Sequence, residues 1–176
     1  MDFSALSAAR TALFAALLSI CAVIAVPLPL TAVPVTLLTL GLFLTGLLLS
    51  PRYACTAALL HLLLGTAGIP VFSGMTGGPG VLLGPTGGFL LAGPIAVLVI
   101  ALLNHRLPAH SLRPWMALGT GLLLLDIAGT AWYCLTAGVS FTQAFVLCVL
   151  PFLPADALKM AMAIAMGRSL RKFRAS

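Results

Sequence analysis

Charged residues are scarce in this chain. Only 7% of its 176 residues are charged and three are acidic, whereas soluble globular proteins carry about 25% charged residues. Hydrophobic residues make up 61% of the sequence, and no stretch is polar enough to form a separate aqueous domain. Several apolar runs reach the roughly 20 residues that a membrane-spanning helix needs. The sequence therefore predicts an all-α polytopic membrane bundle, with residues 1–176 forming a single integral membrane domain.

Other missing patterns exclude further classes of function. The four cysteines form no C-x-x-C pair, so neither a disulfide framework nor a metal site is predicted. The glycine-rich stretch 77–89 is followed by no Lys-Ser/Thr, which excludes a nucleotide-binding P-loop. A single histidine within the apolar runs, His61, provides neither a metal cluster nor a nucleophile with its base, so an enzyme is not expected. No cofactor is expected on this chain.

Proline, glycine and polar residues divide the apolar sequence into segments. The divisions fall at 27–34, 50–52, 68–85, 104–114 and 136–140. Prolines restrict the backbone and remove hydrogen-bond donors, so they end helices or delay their start. The first apolar stretch has no A-x-A-like cleavage site and is not expected to be a removed signal peptide. The pattern predicts six spans, at about 8–26, 35–50, 53–67, 86–103, 115–136 and 141–167.

The basic residues are distributed on one side of these spans. Eight of the nine lie at the end that carries both termini, and the connections 27–34, 68–85 and 137–140 contain none. Such an excess marks the cytoplasmic side. We therefore expect a multi-pass protein of the plasma (inner) membrane with both termini cytoplasmic. The formal charge of +6 reflects this partition and does not indicate binding to nucleic acid.

The ninth basic residue, Lys159, lies with Asp156 inside the sixth predicted span. Three residues apart on a helix, their side chains share a face. Each such charge costs about 2.5–3.5 kcal/mol to place in a membrane, so the pair is expected to face the bundle interior. It is either an internal ion pair that packs helices or a buried site for a small polar ligand. We favour the ligand site, because small residues pack helices at lower cost.

Two connections on the outer side are candidates for the wall of that site. Residues 77–89 are rich in glycine, and the long connection that contains them suggests a lid more than a flexible linker. Residues 27–36 contain three prolines together with Thr31 and Thr36, whose hydroxyls can donate hydrogen bonds. They form either a cavity wall or a simple hairpin. Asp126, in the fifth span, is predicted to line the cavity, relay a proton or accept a hydrogen bond. His61 is interpreted as a core histidine.

Small residues recur every four positions in the first span. Ala8, Ala12 and Ala16 therefore share one helix face, which would let another helix approach closely. The same spacing occurs at Ala157, Ala161 and Ala165 in the last span. The alanine pattern alone is thus weak support for a docking surface.

These residues together resemble a known family, the biotin-specific substrate-binding (S) components of energy-coupling-factor (ECF) transporters, called BioY. The resemblance extends over nearly the whole chain. It includes the Ala8/Ala12/Ala16 face and the segments Val-Pro-Val-Thr-Leu (33–37) and Gly-Ile-Pro-Val-Phe (68–72). Gly-Pro-Thr-Gly-Gly-Phe (84–89) and Pro-Ala-Asp-Ala-Leu-Lys (154–159) are its more specific elements.

The resemblance implies an S component with six membrane helices that captures biotin from outside. Partners would be a transmembrane coupling protein, docked on the Ala8/Ala12/Ala16 face, and two cytoplasmic ATPases that use ATP as separate chains. The family usually has Tyr at the position of Phe89 and commonly Gln at that of Leu38. Phe89 is therefore expected to make apolar contact only, and no role is assigned to Leu38. The implied substrate-binding residues are Asp156, Lys159, Gly77, Gly84, Thr86, Gly87, Phe89, Val33 and Thr36.

One alternative function remains open from the sequence. Asp126 and Asp156 are two acidic residues within spans, which a proton-coupled secondary transporter of a small polar metabolite could use as titrating groups. Many such transporters contain internal repeats, and none is evident here. The ATP-driven biotin importer is therefore the favoured reading.

Overall fold

The computed structural model describes residues 5–27, 29, 33–108 and 110–175, with the backbone alone for 171–175. In these residues the chain forms eight helices and one two-stranded sheet. The elements in chain order are α1 (Ala5–Val23), β1 (Ala25–Val26), β2 (Val35–Thr36), α2 (Leu38–Leu48), α3 (Pro51–Thr66), α4 (Pro79–Leu83), α5 (Gly87–Arg106), α6 (Arg113–Ala137), α7 (Phe141–Cys148) and α8 (Leu153–Ala175).

The predicted all-α membrane bundle is confirmed, and each predicted span contains a helix. Three helices, α1, α5 and α6, are long and apolar enough to cross a membrane, and α7 with α8 forms a bent fourth candidate. α2 has 11 residues and α3 has 16. Both are shorter than a typical spanning helix, which has about 17–25 residues. The count of six spans therefore remains a prediction, and α4 is a short helix within the predicted lid.

The sixth predicted span, 141–167, is two helices instead of one continuous segment. α7 begins with a capping box in which Ser140 and Gln143 satisfy each other's backbone amides. The chain then bends by 51° between α7 and α8. Pro151 provides no backbone donor, and Pro154 occupies the second position of α8, where a helix tolerates proline. The two prolines thus end one helix and start the next.

Close packing around α5 holds the bundle together. Ile100 of α5 is fully buried and lies between glycines of two neighbouring helices. A Cβ added at Gly46 of α2 would lie 2.5 Å from its Cγ2 atom, and one added at Gly121 of α6 would lie 2.3 Å from its Cγ1 atom. Small residues allow such close approach between membrane helices. The glycines therefore fix the spacing of α2, α5 and α6.

A short antiparallel hairpin joins α1 to α2. Ala25 pairs with Thr36 and Val26 with Val35, and the amide of Leu37 donates to the carbonyl of Ile24 at 3.3 Å. The pairing holds residues 33–36 at the end of the bundle where α1 finishes. Thr31, predicted as a hydrogen-bond donor, lies outside the described residues.

The spacing role of Gly121 predicts a difference between two glycines of α6. Gly121→Leu should lower the free energy of unfolding by about 1–3 kcal/mol or more, because the added atoms overlap Ile100. Gly119→Leu is the matched control, since a Cβ there meets no atom within 4 Å. Thermal unfolding of the two purified variants in the same detergent provides the measurement. Equal midpoints would contradict the packing role.

Candidate functional site

A cavity of about 310 Å³ lies at the end of the bundle where α1 ends and α2 begins. The remaining wall comes from the connection between α3 and α5, the middle of α6, and the break between α7 and α8. Its volume is at the lower end of the about 300–1,000 Å³ that small-molecule sites occupy. The lining residues are Ala22, Val33, Pro34, Thr36, Leu38, Thr39, Leu42, Phe72, Ser73, Thr76, Val81, Thr86, Phe89, Leu90, Leu122, Leu125, Asp126, Cys148, Phe152, Asp156 and Lys159.

An ion pair lies in the cavity wall. The Lys159 ammonium donates to the Asp156 carboxylate, with Nζ and Oδ1 2.9 Å apart, and each residue is only 5% exposed. Asp156 is in the first turn of α8, where the helix dipole favours a negative charge. The break before α8 brings this turn to the cavity. The predicted pair therefore exists and faces the bundle interior.

Asp126 contributes a second carboxyl group to the same cavity, from α6. Of the roles considered for it, lining the cavity is confirmed. The cavity thus contains one ammonium and two carboxyl groups, which can accept from N–H donors and donate to an oxygen. A ligand with both N–H groups and a carbonyl or carboxylate oxygen matches this set.

Hydroxyl groups from the connections add weaker polar contacts. Thr36 is the last residue of β2 in the hairpin, and its Oγ1 accepts from the amide of Leu38 at 3.3 Å. Thr76 donates to the carbonyl of Ser73 at 2.9 Å. Thr86 precedes α5, and its side chain makes no capping hydrogen bond with that helix. A hydroxyl both donates and accepts, so these groups can adapt to either end of a polar ligand.

Aromatic rings form much of the apolar wall. Phe89 packs on Gly129 of α6, where an added Cβ would lie 2.2 Å from the ring carbon Cε1. Phe152, at the α7–α8 break, is 8% exposed and also lines the cavity. Apolar walls with a few placed polar groups are typical of small-molecule sites. Phe89 has no polar atom to offer a ligand, and its apolar contact with one stays a prediction.

The connection between α3 and α5 is folded against the bundle. Phe72 is fully buried, and its amide donates to the carbonyl of Thr76 at 2.9 Å. The amide of Gly78 donates to the carbonyl of Gly65 at 2.7 Å, and the Trp132 indole donates to the carbonyl of Gly84 at 3.0 Å. These contacts, with α4, make the connection an ordered part of the wall. Its opening and closing as a lid stays a prediction.

The structure brings together six of the nine predicted binding residues. Gly77, Gly84 and Gly87 do not line the cavity. An added Cβ at Gly77 would lie 2.5 Å from the carbonyl oxygen of Ile69, and one at Gly87 would lie 1.8 Å from that of Leu82. These two glycines thus allow tight backbone turns near the cavity, and a role in ligand contact stays a prediction. The six that line it are Val33, Thr36, Thr86, Phe89, Asp156 and Lys159.

Several lining residues were not predicted. Leu122 lies three residues before Leu125 and four before Asp126 on α6, a spacing that could have revealed them. Leu38, to which no role was assigned, also lines the cavity. Ser73 and Thr76 come from the irregular part of the connection, where the sequence has no periodic signal.

His61 lies in the core and outside the cavity lining. The Ser19 hydroxyl and the His61 Nδ1 atom are 3.1 Å apart. The His61 ring meets the Phe72 ring edge-on, with centroids 5.6 Å apart. Its Nε2 atom is buried and has no hydrogen-bond partner among the described residues. The interpretation as a core histidine is confirmed, although the ring is only partly satisfied.

The small-residue face of α1 is open. Ala8, Ala12 and Ala16 are all exposed, and Ala8 and Ala12 lie in the half of α1 away from the cavity. Ala157, Ala161 and Ala165 of α8 are also exposed. The structure therefore leaves both alanine faces available to another helix.

Burial of the ion pair predicts a non-additive effect on stability. Asp156→Leu or Lys159→Met alone should cost about 3–5 kcal/mol, because each leaves one charge buried without its partner. Combining the two changes removes both charges, so the double variant should be more stable than either single variant. Thermal unfolding of all three proteins measures this. A double variant destabilised by the sum of the single effects would contradict the pairing.

Comparisons with known proteins agree with one another. The sequence model of the BioY family matches residues 1–176. A probable biotin transporter BioY from Pyrococcus horikoshii is 39% identical over 160 residues, covering 91% of this chain and 93% of that protein. A biotin transporter BioY from Thermotoga maritima is 32% identical over 167 residues, covering 93% and 94%. The crystal structure of an S-component for biotin from an ECF-type ABC transporter shares the fold, with a TM-score of 0.89 and 24% identity over 95% of this chain and 91% of that one.

Proposed function

This chain belongs to the BioY family, and we propose that it captures biotin in the cavity beside Asp156 and Lys159. It then delivers the vitamin across the membrane as the S component of an ECF-type, ATP-driven importer. The observation that carries this proposal is a buried ion pair that lines a ligand-sized cavity. The chain is a component of a transporter and not an enzyme, in agreement with the biotin transporters it resembles.

The chemistry of biotin fits the lining of the cavity. Its ureido ring has two N–H donors and one carbonyl oxygen, and its fused rings and valeryl chain are largely apolar. The Asp156 carboxylate can accept from the N–H groups and the Lys159 ammonium can donate to an oxygen. Hydrogen bonds with one ionised partner are roughly twice as strong as neutral ones. Phe89 and Phe152 can cover the apolar part of the ligand.

The cavity lies at the end of the bundle opposite to the basic end, which supports capture from outside. Asp156 lies twelve residues before Arg168, which at about 1.5 Å per helical residue places it about 18 Å from that end. The connections that form the outer wall contain no basic residue. By the positive-inside rule both termini are cytoplasmic, in the plasma (inner) membrane of the cell.

The partners of the importer follow from what the family resemblance implies. A transmembrane coupling protein would dock a helix on the exposed Ala8/Ala12/Ala16 face, where small side chains permit close approach. Two cytoplasmic ATPases would bind and hydrolyse ATP as separate chains. This chain would bind biotin and the surrounding lipid bilayer, with no cofactor of its own.

Two substitutions test the binding role of the ion pair. Asp156→Asn and Lys159→Ala should each weaken biotin binding by at least tenfold, about 1.4 kcal/mol, because each removes a charged hydrogen-bond partner. Equilibrium titration of purified, folded protein with biotin gives the affinities. The Asp156→Leu/Lys159→Met double variant provides the control: it should regain stability relative to the single variants yet still fail to bind. Near-native affinity in the two folded single variants would leave the pair a structural ion bridge.

A bulky residue on the alanine face separates docking from binding. Ala12→Trp should retain biotin binding but lose ATP-dependent uptake and co-purification with the partner subunits, since the added ring blocks close approach of a helix. Ala165→Trp on the exposed face of α8 is the matched control and should retain uptake. Full uptake by the Ala12→Trp protein would exclude this docking surface. Uptake that needs no ATPase and stops with a protonophore would favour the proton-coupled alternative.

A further inference from the structure

A second cavity, of about 300 Å³, lies at the basic end of the bundle. It is formed where α2 and α5 end, where α6 begins, and along the last described side chains of α8. Its floor is apolar and includes Leu47 and Ile164. Its polar rim consists of Asn104, His110, Ser111, Arg113 and Arg168. This cavity is separate from the proposed biotin site, because the two cavities lie at opposite ends of the helices and share no lining residue.

The rim of this cavity carries positive charge without a counterion. Arg113 and Arg168 both line it, and no acidic residue does. The two described acidic residues, Asp126 and Asp156, both line the other cavity. The ion pair found in the described part of the chain is that of Asp156 and Lys159. Two arginines that line one cavity and have no acidic partner among the described residues form a candidate site for an anion.

Arg113 also has a side-chain nitrogen without a hydrogen-bond partner in the described structure. This nitrogen, Nε, is buried. Buried polar nitrogens in folded proteins are nearly always paired, so an orphan one indicates a missing partner. Two backbone amides at this turn are already used, since that of Arg113 donates to the carbonyl of His110 at 3.1 Å and that of Leu112 to His110 Nδ1 at 3.3 Å. The unpaired donor that indicates a ligand is therefore a side-chain nitrogen, Arg113 Nε.

The position of the cavity identifies the kind of anion. It lies between the end of α5 at Arg106 and the start of α6 at Arg113, where, in the membrane orientation proposed above, two long apolar helices leave the hydrocarbon layer. Lipid phosphates lie at this level of a bilayer. Basic pockets between membrane helices on the cytoplasmic side bind the head groups of anionic lipids, and a guanidinium matches the geometry of a phosphate.

We propose that this cavity binds the phosphate of an anionic phospholipid head group. Arg113 and Arg168 hold the phosphate oxygens, and Ser111 and His110 lie at the rim, where they can contact the rest of the head group. Asn104 keeps the floor in place, because its Nδ2 atom donates to the carbonyl of Leu47 at 3.2 Å and so joins the ends of α5 and α2. A bound lipid would join α2, α5, α6 and α8 at the cytoplasmic end.

Delipidated protein in a neutral detergent tests this proposal. Ligands that bind the folded state raise the midpoint of thermal unfolding. Short-chain phosphatidylglycerol should raise it in a saturable way, whereas short-chain phosphatidylcholine should not. Arg113→Gln and Arg168→Gln should each weaken phosphatidylglycerol binding by about tenfold or more, the effect expected from the loss of one hydrogen bond to a charged group. Arg106→Gln, at the same level but outside the cavity, is the matched control and should bind as the native protein does.

Further outcomes decide which anion binds and whether the two arginines form the site. Inorganic phosphate at millimolar concentration should compete only weakly, because it lacks the glycerol and acyl parts; complete displacement of the lipid would overturn a lipid as the occupant. Equal loss of binding in the Arg106→Gln control would reduce the effect to general surface charge and overturn the site. If Arg113→Gln fails to fold, Arg168→Gln alone decides, since Arg168 is exposed and its removal leaves the core intact. Native binding by that variant would overturn the proposal.

Discussion

The buried contact between Lys159 and Asp156 is the interaction on which the functional end of this molecule depends. Lys159 Nζ and Asp156 Oδ1 are 2.9 Å apart, and each residue is 5% exposed. Each charge therefore offsets the cost of placing the other in a membrane. The prolines that divide α7 from α8 bring the first turn of α8, and with it the pair, to the cavity. The hairpin, the α3–α5 connection and α6 complete the wall around the pair. A ligand that replaces part of this ion pair must therefore offer both donors and an acceptor.

Close packing between helices stabilises the rest of the bundle. Lipid offers no hydrophobic gain for helix association, so the helices must pack closely through small residues. Gly46 and Gly121 enclose Ile100 in this way, and they leave α5 fixed between its neighbours. The buried Asp156–Lys159 pair lies at one end of this closely packed bundle, and the cavity lined by Arg113 and Arg168 lies at the other.

Much of this arrangement could be predicted from the sequence, because its signals are local. Composition and apolar runs predict the helices, and the Asp156–Lys159 spacing predicts the buried pair. The 51° bend depends on how two prolines are accommodated, and the sequence predicts a single span there. Gly77, Gly84 and Gly87 lie beside the cavity and not in its lining, since glycine is required equally by tight turns and by ligand contact. Ser73 and Thr76 reach the cavity only through the tertiary fold of the connection.

The central claim is that biotin binds against the Asp156–Lys159 pair. A high-resolution structure of the purified chain with biotin, in the absence of partner subunits, tests it most directly. The account predicts one biotin in the cavity between α6, α8 and the α3–α5 connection, with a ureido or carboxylate atom at about 2.7–3.2 Å from Asp156 or Lys159. Biotin bound at another place, or in this cavity without a polar contact to either side chain, would contradict it.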